Sequence, residues 1–558
     1  MGVQDANNKH QLIGYGCAAA ILQSHQNLPL KLGFNTLPFL SAARKPPILR
    51  VKANHRAMAD FDLAIIGGGI NGTGIARDAA GRGLSVLLVE MNDLSSGTSS
   101  ASSKLVHGGL RYLEHGAFRL VREALNEREV LLRMAPHVVR PMRFMLPPLP
   151  GLRSPLILRF GLSLYDLLGA RKLLPASRSV DLTHHVVGQP LKRTFRYGFE
   201  YSDCSVDDSR LVVLNALDAA ERGAVVRTRT RCTRVERRDE WELVLNARGR
   251  REVKTAHVLV NAAGPWIGTV ADTVVRQPLA SAVRLIKGSH IVIRRRFEHE
   301  YGYLLEAPDR RVVFALPFAQ DFTLIGTTDE NFVGDLNSVA PDPSEIAYLC
   351  DAVNHYFRDK VTPDELVWSF AGVRALYDDG ANKPEDVTRD YELVLDERDG
   401  EAPLLTIYGG KITTHRKLAE AAMRQIGHFF EARPPWTAGS RLPGGEFLPD
   451  EFDAQVAEAI GRWPFLSALH ARRLLGAYGL RVERFLDDAQ SMDELGPRFA
   501  GDLTAAEVRY MVENEWARNA DDVLWRRSKI GLKATAEEYA TLDRFIASLC
   551  GERGGSTA

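Results

Sequence analysis

The segment Asp62–Glu90 constrains this chain more than any other. An apolar run, Leu63–Ile66, leads into glycines at 67, 69 and 72; a helical stretch follows through Ala80, then a second apolar run, Val86–Val89, closed by Glu90. Apolar runs of this length read as strands of a parallel sheet buried on both faces. Gly67 permits the tight turn, Gly69 lets the backbone approach a pyrophosphate, Gly72 lets helix pack on strand, and the helix N-terminus faces the phosphates. Glu90, 18 residues past Gly72, is spaced to accept hydrogen bonds from a ribose diol, and an acid there disfavours a 2′-phosphate. The unit therefore predicts FAD or NAD, not NADP.

Later segments choose FAD. Ser95–Ser103 (SSGTSSASS) follows the second strand as a hydroxyl-rich loop able to wrap a long cofactor through Thr98, Ser99, Ser100 and Ser103. His257–Trp266 (HVLVNAAGPW) reads as a strand meeting small residues, Gly264 among them, and Leu404–Lys411 (LLTIYGGK) as a strand ending in Gly409 and Gly410. A second glycine-ended strand suits a cofactor too long for one βαβ unit. No second complete G-x-G-x-x-G occurs, which argues against a reductase binding both FAD and NAD.

Composition sets the outer limits. The 558 residues are 45% hydrophobic and 25% charged with net charge +1, which excludes a disordered or collagenous chain and gives no polyelectrolyte signature for nucleic acid. The length predicts about three domains. Five scattered cysteines without a C-x-x-C pair predict reduced thiols and no metal site. Residues 1–57 carry seven Lys/Arg against one acid, Asp5, leaving 64 bases and 69 acids for the remainder. This leader is expected to lie outside the fold, with Met58 as the start; a transit or signal peptide is the other reading. No run of about 20 uncharged apolar residues is present, so no membrane-spanning helix is predicted.

Longer motifs carry a family resemblance. SSASSKLVHGGLRYLE (Ser99–Glu114), VRLIKGSH (Val283–His290), LIGTTD (Leu324–Asp329), TRDYEL (Thr388–Leu393) and YGGKITTHRKLAE (Tyr408–Glu420) resemble FAD-dependent glycerol-3-phosphate dehydrogenases of the aerobic, quinone-linked bacterial type, from Ala59 to the C-terminal region. The resemblance implies an α/β fold of the glycine/D-amino-acid-oxidase-like kind: a Rossmann-like FAD domain, an antiparallel substrate sheet and a C-terminal helical domain. Alternating runs at Ser289–Ile293, Val312–Leu316 and Thr323–Gly326, and a hairpin around Asp399-Gly400, agree with a substrate sheet mainly within 283–400. Cofactor and substrate regions are expected to interleave over 58–440. Helical patterning at Glu451–Arg462, Ala468–Tyr478 and Ala505–Asn519 places the helical domain at 441–558.

The implied reaction oxidises sn-glycerol 3-phosphate to dihydroxyacetone phosphate. It requires cations for a phosphate dianion, an acceptor for the 2-hydroxyl proton and a flavin facing the C2 hydride. The resemblance assigns substrate recognition to Arg111, Arg374, Arg389 and Lys411, with Tyr112 and Thr327 as hydrogen-bonding neighbours, and cofactor contact to Asn71 and Lys411 besides the residues above. Arg374 is expected at the reacting centre. The proton acceptor is left between His107, His290 and water. The resemblance also implies a quinone partner and peripheral contact with the cytoplasmic face of the inner membrane. The interfacial candidate is Leu156–Leu174, within a stretch (Arg133–Arg178) of eight basic residues and one acid; a buried helix or a homodimer interface is the other reading. Competing functions are a glycerol-3-phosphate oxidase using dioxygen, an amino-acid oxidase, and a non-catalytic flavin scaffold.

Overall fold

The computed structural model describes residues 59–114, 116–149, 154–169, 173–279, 281–378 and 390–554. The apolar run that opens the fold is the strand Phe61–Ile66, and it lies at the middle of an eight-stranded sheet. Val86–Val89 and Arg250–Asn261 flank it in parallel, Leu404–Tyr408 runs parallel beyond the latter and Val225–Arg227 beyond the former. Helices Ile70–Gly81 and His415–Ile426 pack their small and apolar residues against one face. Trp241, Leu243 and Val274 close the other. Because the central strands are parallel, their carboxyl ends (Ile66, Val89, Asn261, Tyr408) lie together at one edge, where α/β sheets open a ligand crevice.

A second, ten-stranded mixed sheet runs Glu330–Asn331, Val283–Arg294, Phe322–Gly326, Val312–Phe318, Gly302–Glu306, Val139–Leu146, Tyr197–Val206, Leu105–Val106. Leu366–Tyr377 pairs along Val283–Arg294, and Arg178–Asp181 along Tyr197–Val206. The expected boundary of 283–400 needs correction at both ends. Val139–Leu146 and Tyr197–Val206 join this sheet from far upstream. Glu392–Asp396 leaves it, because its hairpin partner Leu404–Tyr408 is registered in parallel on Leu259–Asn261 and draws it into the cofactor sheet.

From Phe447 onward the apolar side chains gather into a core of their own, including Leu474, Leu475, Val508, Met511 and Val523. The helix expected over Ala505–Asn519 stops at Asn514. Trp516 takes a left-handed φ of 60° and turns the chain, while the Glu515 carboxylate accepts two hydrogen bonds from buried Arg210, at 2.5 and 2.9 Å. Among the described residues no helix is long and apolar enough to cross a membrane. Residues 1–57, Arg389 and part of the Leu156–Leu174 candidate (residues 170–172) lie outside the described residues.

Candidate active site

At the carboxyl edge of the parallel sheet lies a cavity of about 630 Å³. Its floor is glycine for steric reasons. Gly67 has φ +117°, and a Cβ there would press on the Ala262 backbone of the neighbouring strand; a Cβ on Gly72 would run into the Gly67 carbonyl. Glu90 lines the same cavity. One carboxylate oxygen accepts the Gly68 N–H at 2.7 Å and the other the Asn92 N–H at 2.8 Å, which leaves a lone pair on each for a further donor. Burial raises its pKa against those two hydrogen bonds. Asn71 donates to the Gly409 carbonyl at 3.0 Å, and its own buried Oδ1 has no partner. Gly410 (φ +99°) stands where a Cβ would come within 2.9 Å of that amide. Across the cavity a Cβ on Gly264 would meet nothing.

The hydroxyl loop closes the cavity, though its members divide. Ser99 Oγ accepts the Ile70 N–H at 3.0 Å, and Thr98 Oγ1 donates to the Val373 carbonyl at 2.5 Å. Both line the cavity. Ser100 does not: its hydroxyl turns back to the Gly97 carbonyl and its own carbonyl takes the Lys104 ammonium, so its cofactor assignment is corrected to a loop-folding one. Ser103 faces the second cavity, with its hydroxyl 2.9 Å from His290 Nε2. Gly72 acts through helix–strand packing and lines neither cavity.

The second cavity, about 560 Å³, shares Ile70, Thr98, Ser99, Arg374, Leu376 and Gly410 with the first, so the two adjoin along this wall. A glycine-floored cavity lined by an anchored carboxylate and an unsatisfied amide oxygen, with a second cavity adjoining it, fits an extended dinucleotide such as FAD. Arg111, Tyr112, Thr327, Arg374 and Lys411 meet around the second cavity, with His107. Arg374 donates to Asp329 at 2.9 Å. The Lys411 ammonium lies 4.1 Å from the Tyr112 ring centroid and, though buried, has no hydrogen-bond partner. A cation in that state is prepared for an anion. Arg389 lies outside the described residues.

The two histidines part company. His107 lines the cavity, and its Nδ1 accepts the Gly109 N–H at 3.1 Å. In the neutral ring this contact selects the tautomer with its hydrogen on Nε2, and burial lowers its pKa, keeping the ring neutral. His290 does not line the cavity. It is 1% exposed, stacked 4.8 Å from Phe370 and bonded to Ser103, and burial pushes its pKa down to about 3. As proton acceptor it is therefore withdrawn; it braces the loop.

Two participants escaped the sequence reading. A Cβ on Gly288 would stand 2.7 Å from Thr327 Oγ1 and 2.9 and 3.1 Å from the terminal nitrogens of Arg374, so this glycine makes room for the guanidinium. The signal was a glycine in the middle of a strand, in VRLIKGSH, which marks a close approach. Asp329, which orients Arg374, was already inside the motif LIGTTD.

Comparison with known proteins agrees with the fold and with FAD as the cofactor. The model of the FAD dependent oxidoreductase family matches residues 62–416, and that of the C-terminal domain of alpha-glycerophosphate oxidase matches 435–557. The chain is 50% identical over 491 residues to the glycerol-3-phosphate dehydrogenase of Pseudomonas aeruginosa, covering 88% of this chain and 95% of that one. It is 47% identical over 483 residues to the D-erythritol 1-phosphate dehydrogenase of Brucella abortus, covering 86% and 96%. Among solved structures, the glycerol-3-phosphate dehydrogenase from Bacillus halodurans complexed with FAD aligns with a TM-score of 0.67 at 26% identity, covering 88% and 94%.

Proposed function

Because the chain belongs to the FAD-dependent oxidoreductases, among the glycerol-3-phosphate dehydrogenases, we propose that it oxidises sn-glycerol 3-phosphate to dihydroxyacetone phosphate and passes the electrons to a membrane quinone. The observation that carries the substrate reading is the unpaired Lys411 ammonium, in one cavity with Arg374 and Arg111. With Arg374 paired to Asp329, Lys411 and Arg111 supply the charge that suits a phosphate dianion, and the Arg374 guanidinium adds donors for its oxygens.

FAD, when bound, supplies the hydride acceptor. Glu90, Asn71, Thr98, Ser99, Gly264, Gly409 and Gly410 are the residues proposed to hold it. Asp329 fixes Arg374, and Tyr112 fixes Lys411, so both cations meet the phosphate already oriented. Thr327 adds a hydroxyl beside the guanidinium. His107 donates from Nε2 to the substrate's 2-oxygen, and the hydroxyl proton, made more acidic by the neighbouring cations, leaves to water. Residues 58–440 form the interleaved cofactor and substrate regions in this reading, and 441–558 the helical domain.

The quinone reading rests on the helix Pro155–Leu168. Leu156 and Phe160 are 81% and 70% exposed, with Ile157 and Leu167 also outward. Ile157, Phe160 and Leu164 line the second cavity as well. An apolar face continuous with the redox cavity supports peripheral attachment to the cytoplasmic face of the inner membrane and a lipid-side path for a quinone. The match of the C-terminal region to an oxidase domain favours dioxygen as the competing acceptor, and the Brucella relative favours D-erythritol 1-phosphate as the competing substrate. Substrate-dependent oxygen uptake, measured with and without a short-chain quinone, separates the acceptors: quinone reduction with little oxygen consumption is expected, and stoichiometric oxygen uptake would overturn the quinone reading. The ratio of kcat/KM for the two phosphoesters decides between the substrates.

A further inference from the structure

The loop that closes over the cofactor channel is tied to one short stretch near the far end of the chain, directly at its start and through Asp208 at its end. At its start, Asp93 Oδ2 accepts hydrogen bonds from Arg526 Nε at 2.7 Å and from Arg527 at 2.8 Å, and Oδ1 accepts a second bond from Arg527 at 2.9 Å. At its end, Ser102 Oγ and Lys104 Nζ both reach Asp208 Oδ2 at 2.8 Å. The other oxygen of Asp208 lies 3.4 Å from Lys529 Nζ, which also donates to Ser209 at 2.5 Å. Aromatic packing joins the same two regions. Trp525 lies against Trp368, Trp368 against Phe370, and Phe370 against His290, at centroid separations of 4.7, 4.6 and 4.8 Å. His290 in turn meets Ser103.

We infer that Arg526, Arg527 and Lys529 are positioning residues for FAD retention: the two arginines hold the start of the loop Asp93–Lys104 directly, Lys529 supports its end through Asp208, and the C-terminal region thereby sets how tightly the cofactor is kept. Thr98 and Ser99, which line the channel, lie between the two anchors. A loop of this length loses conformational freedom when both ends are fixed, and a cofactor bound beneath it then bears less of the ordering cost. Asp93 and Arg527 are both buried, and the Arg527 fork is bidentate, the geometry that orients a carboxylate most strictly. Neither Arg526, Arg527 nor Lys529 lines either cavity, so none touches cofactor or substrate directly.

The test uses the purified holoenzyme. Flavin release is followed by the rise of free-flavin fluorescence, and global unfolding by near-UV circular dichroism in the same urea concentrations. Lys529→Met is expected to speed flavin release about tenfold, the order of one charge-assisted hydrogen bond, with the unfolding rate unchanged; Lys529→Arg should restore the parent rate. Arg527→Met should act more strongly, and if that variant does not accumulate, Lys529→Met decides alone. A parent-like release rate in Lys529→Met, or release that quickens only in step with unfolding, would overturn the inference.

Discussion

Gly288→Ala is the sharpest probe of the substrate cavity, because one methyl group is placed where the structure gives it no room. The new Cβ would lie 2.7 Å from Thr327 Oγ1 and 2.9 Å from the nearer terminal nitrogen of Arg374. Arg374 ends in a flexible guanidinium and yields by swinging away, leaving Asp329 and its place in the cavity, while the Thr327 hydroxyl must also give way. A hydrogen bond to a charged group contributes about 1.5–3 kcal/mol, so losing one to the phosphate lowers kcat/KM by roughly 10- to 150-fold. Steady-state kinetics on flavin-loaded protein measures this, with flavin content unchanged. Gly372, opposite Gly288 in the register, supplies the contrast. A Cβ there would meet Ala101 of the cofactor loop at 2.9 Å, so Gly372→Ala should lower flavin content instead. A Gly288→Ala enzyme with parent-like kcat/KM would refute the claim that Arg374 acts on the substrate from its observed position.

Two further outcomes follow from the same structure. Replacing Leu156 and Leu167, which are exposed and line neither cavity, by serine should weaken sedimentation with anionic lipid vesicles and slow reduction of a long-chain quinone, while turnover with a water-soluble dye stays at the parent level; unchanged vesicle binding would remove this helix from the membrane reading. Buried His290 has a folded pKa of about 3, below the ordinary value of about 6.5. The unfolded chain therefore binds the extra proton between those values, and stability is lost as pH falls from about 6.5, by roughly 2 kcal/mol at pH 5. The drop in urea midpoint between pH 7 and pH 5 should be smaller in His290→Gln than in the parent; equal drops would contradict the assignment.

What the sequence made legible is what local chemistry decides. The strand–glycine–helix–strand–acid unit is explicit because glycines 67 and 72 answer local steric demands, and Glu90 lines the cavity at the carboxyl edge of the sheet. The cation cluster was legible only through long motifs: nothing local in Arg111, Arg374 or Lys411 says that strands and loops hundreds of residues apart bring them together. The substrate sheet was drawn too narrowly for the same reason, since Val139–Leu146 and Tyr197–Val206 join it through long-range pairing that alternation alone does not reveal. His290 looked as reactive as His107 in its motif. Burial, a ring stacked on Phe370 and a hydroxyl partner separate them, and none of these is written in the residues beside it. The helix that stops at Asn514 illustrates the converse: local patterning ran on to Asn519, and a distant buried partner, Arg210, overrode it.

The central claim is that a bound flavin shares one cavity with cations that select a phosphoester. Adding sn-glycerol 3-phosphate to the purified protein under anaerobic conditions tests it directly. Prompt bleaching of the oxidised flavin band is the result this account predicts, with glycerol acting far more weakly. A flavin spectrum left unchanged by the phosphoester, or bleached equally well by glycerol, would contradict it.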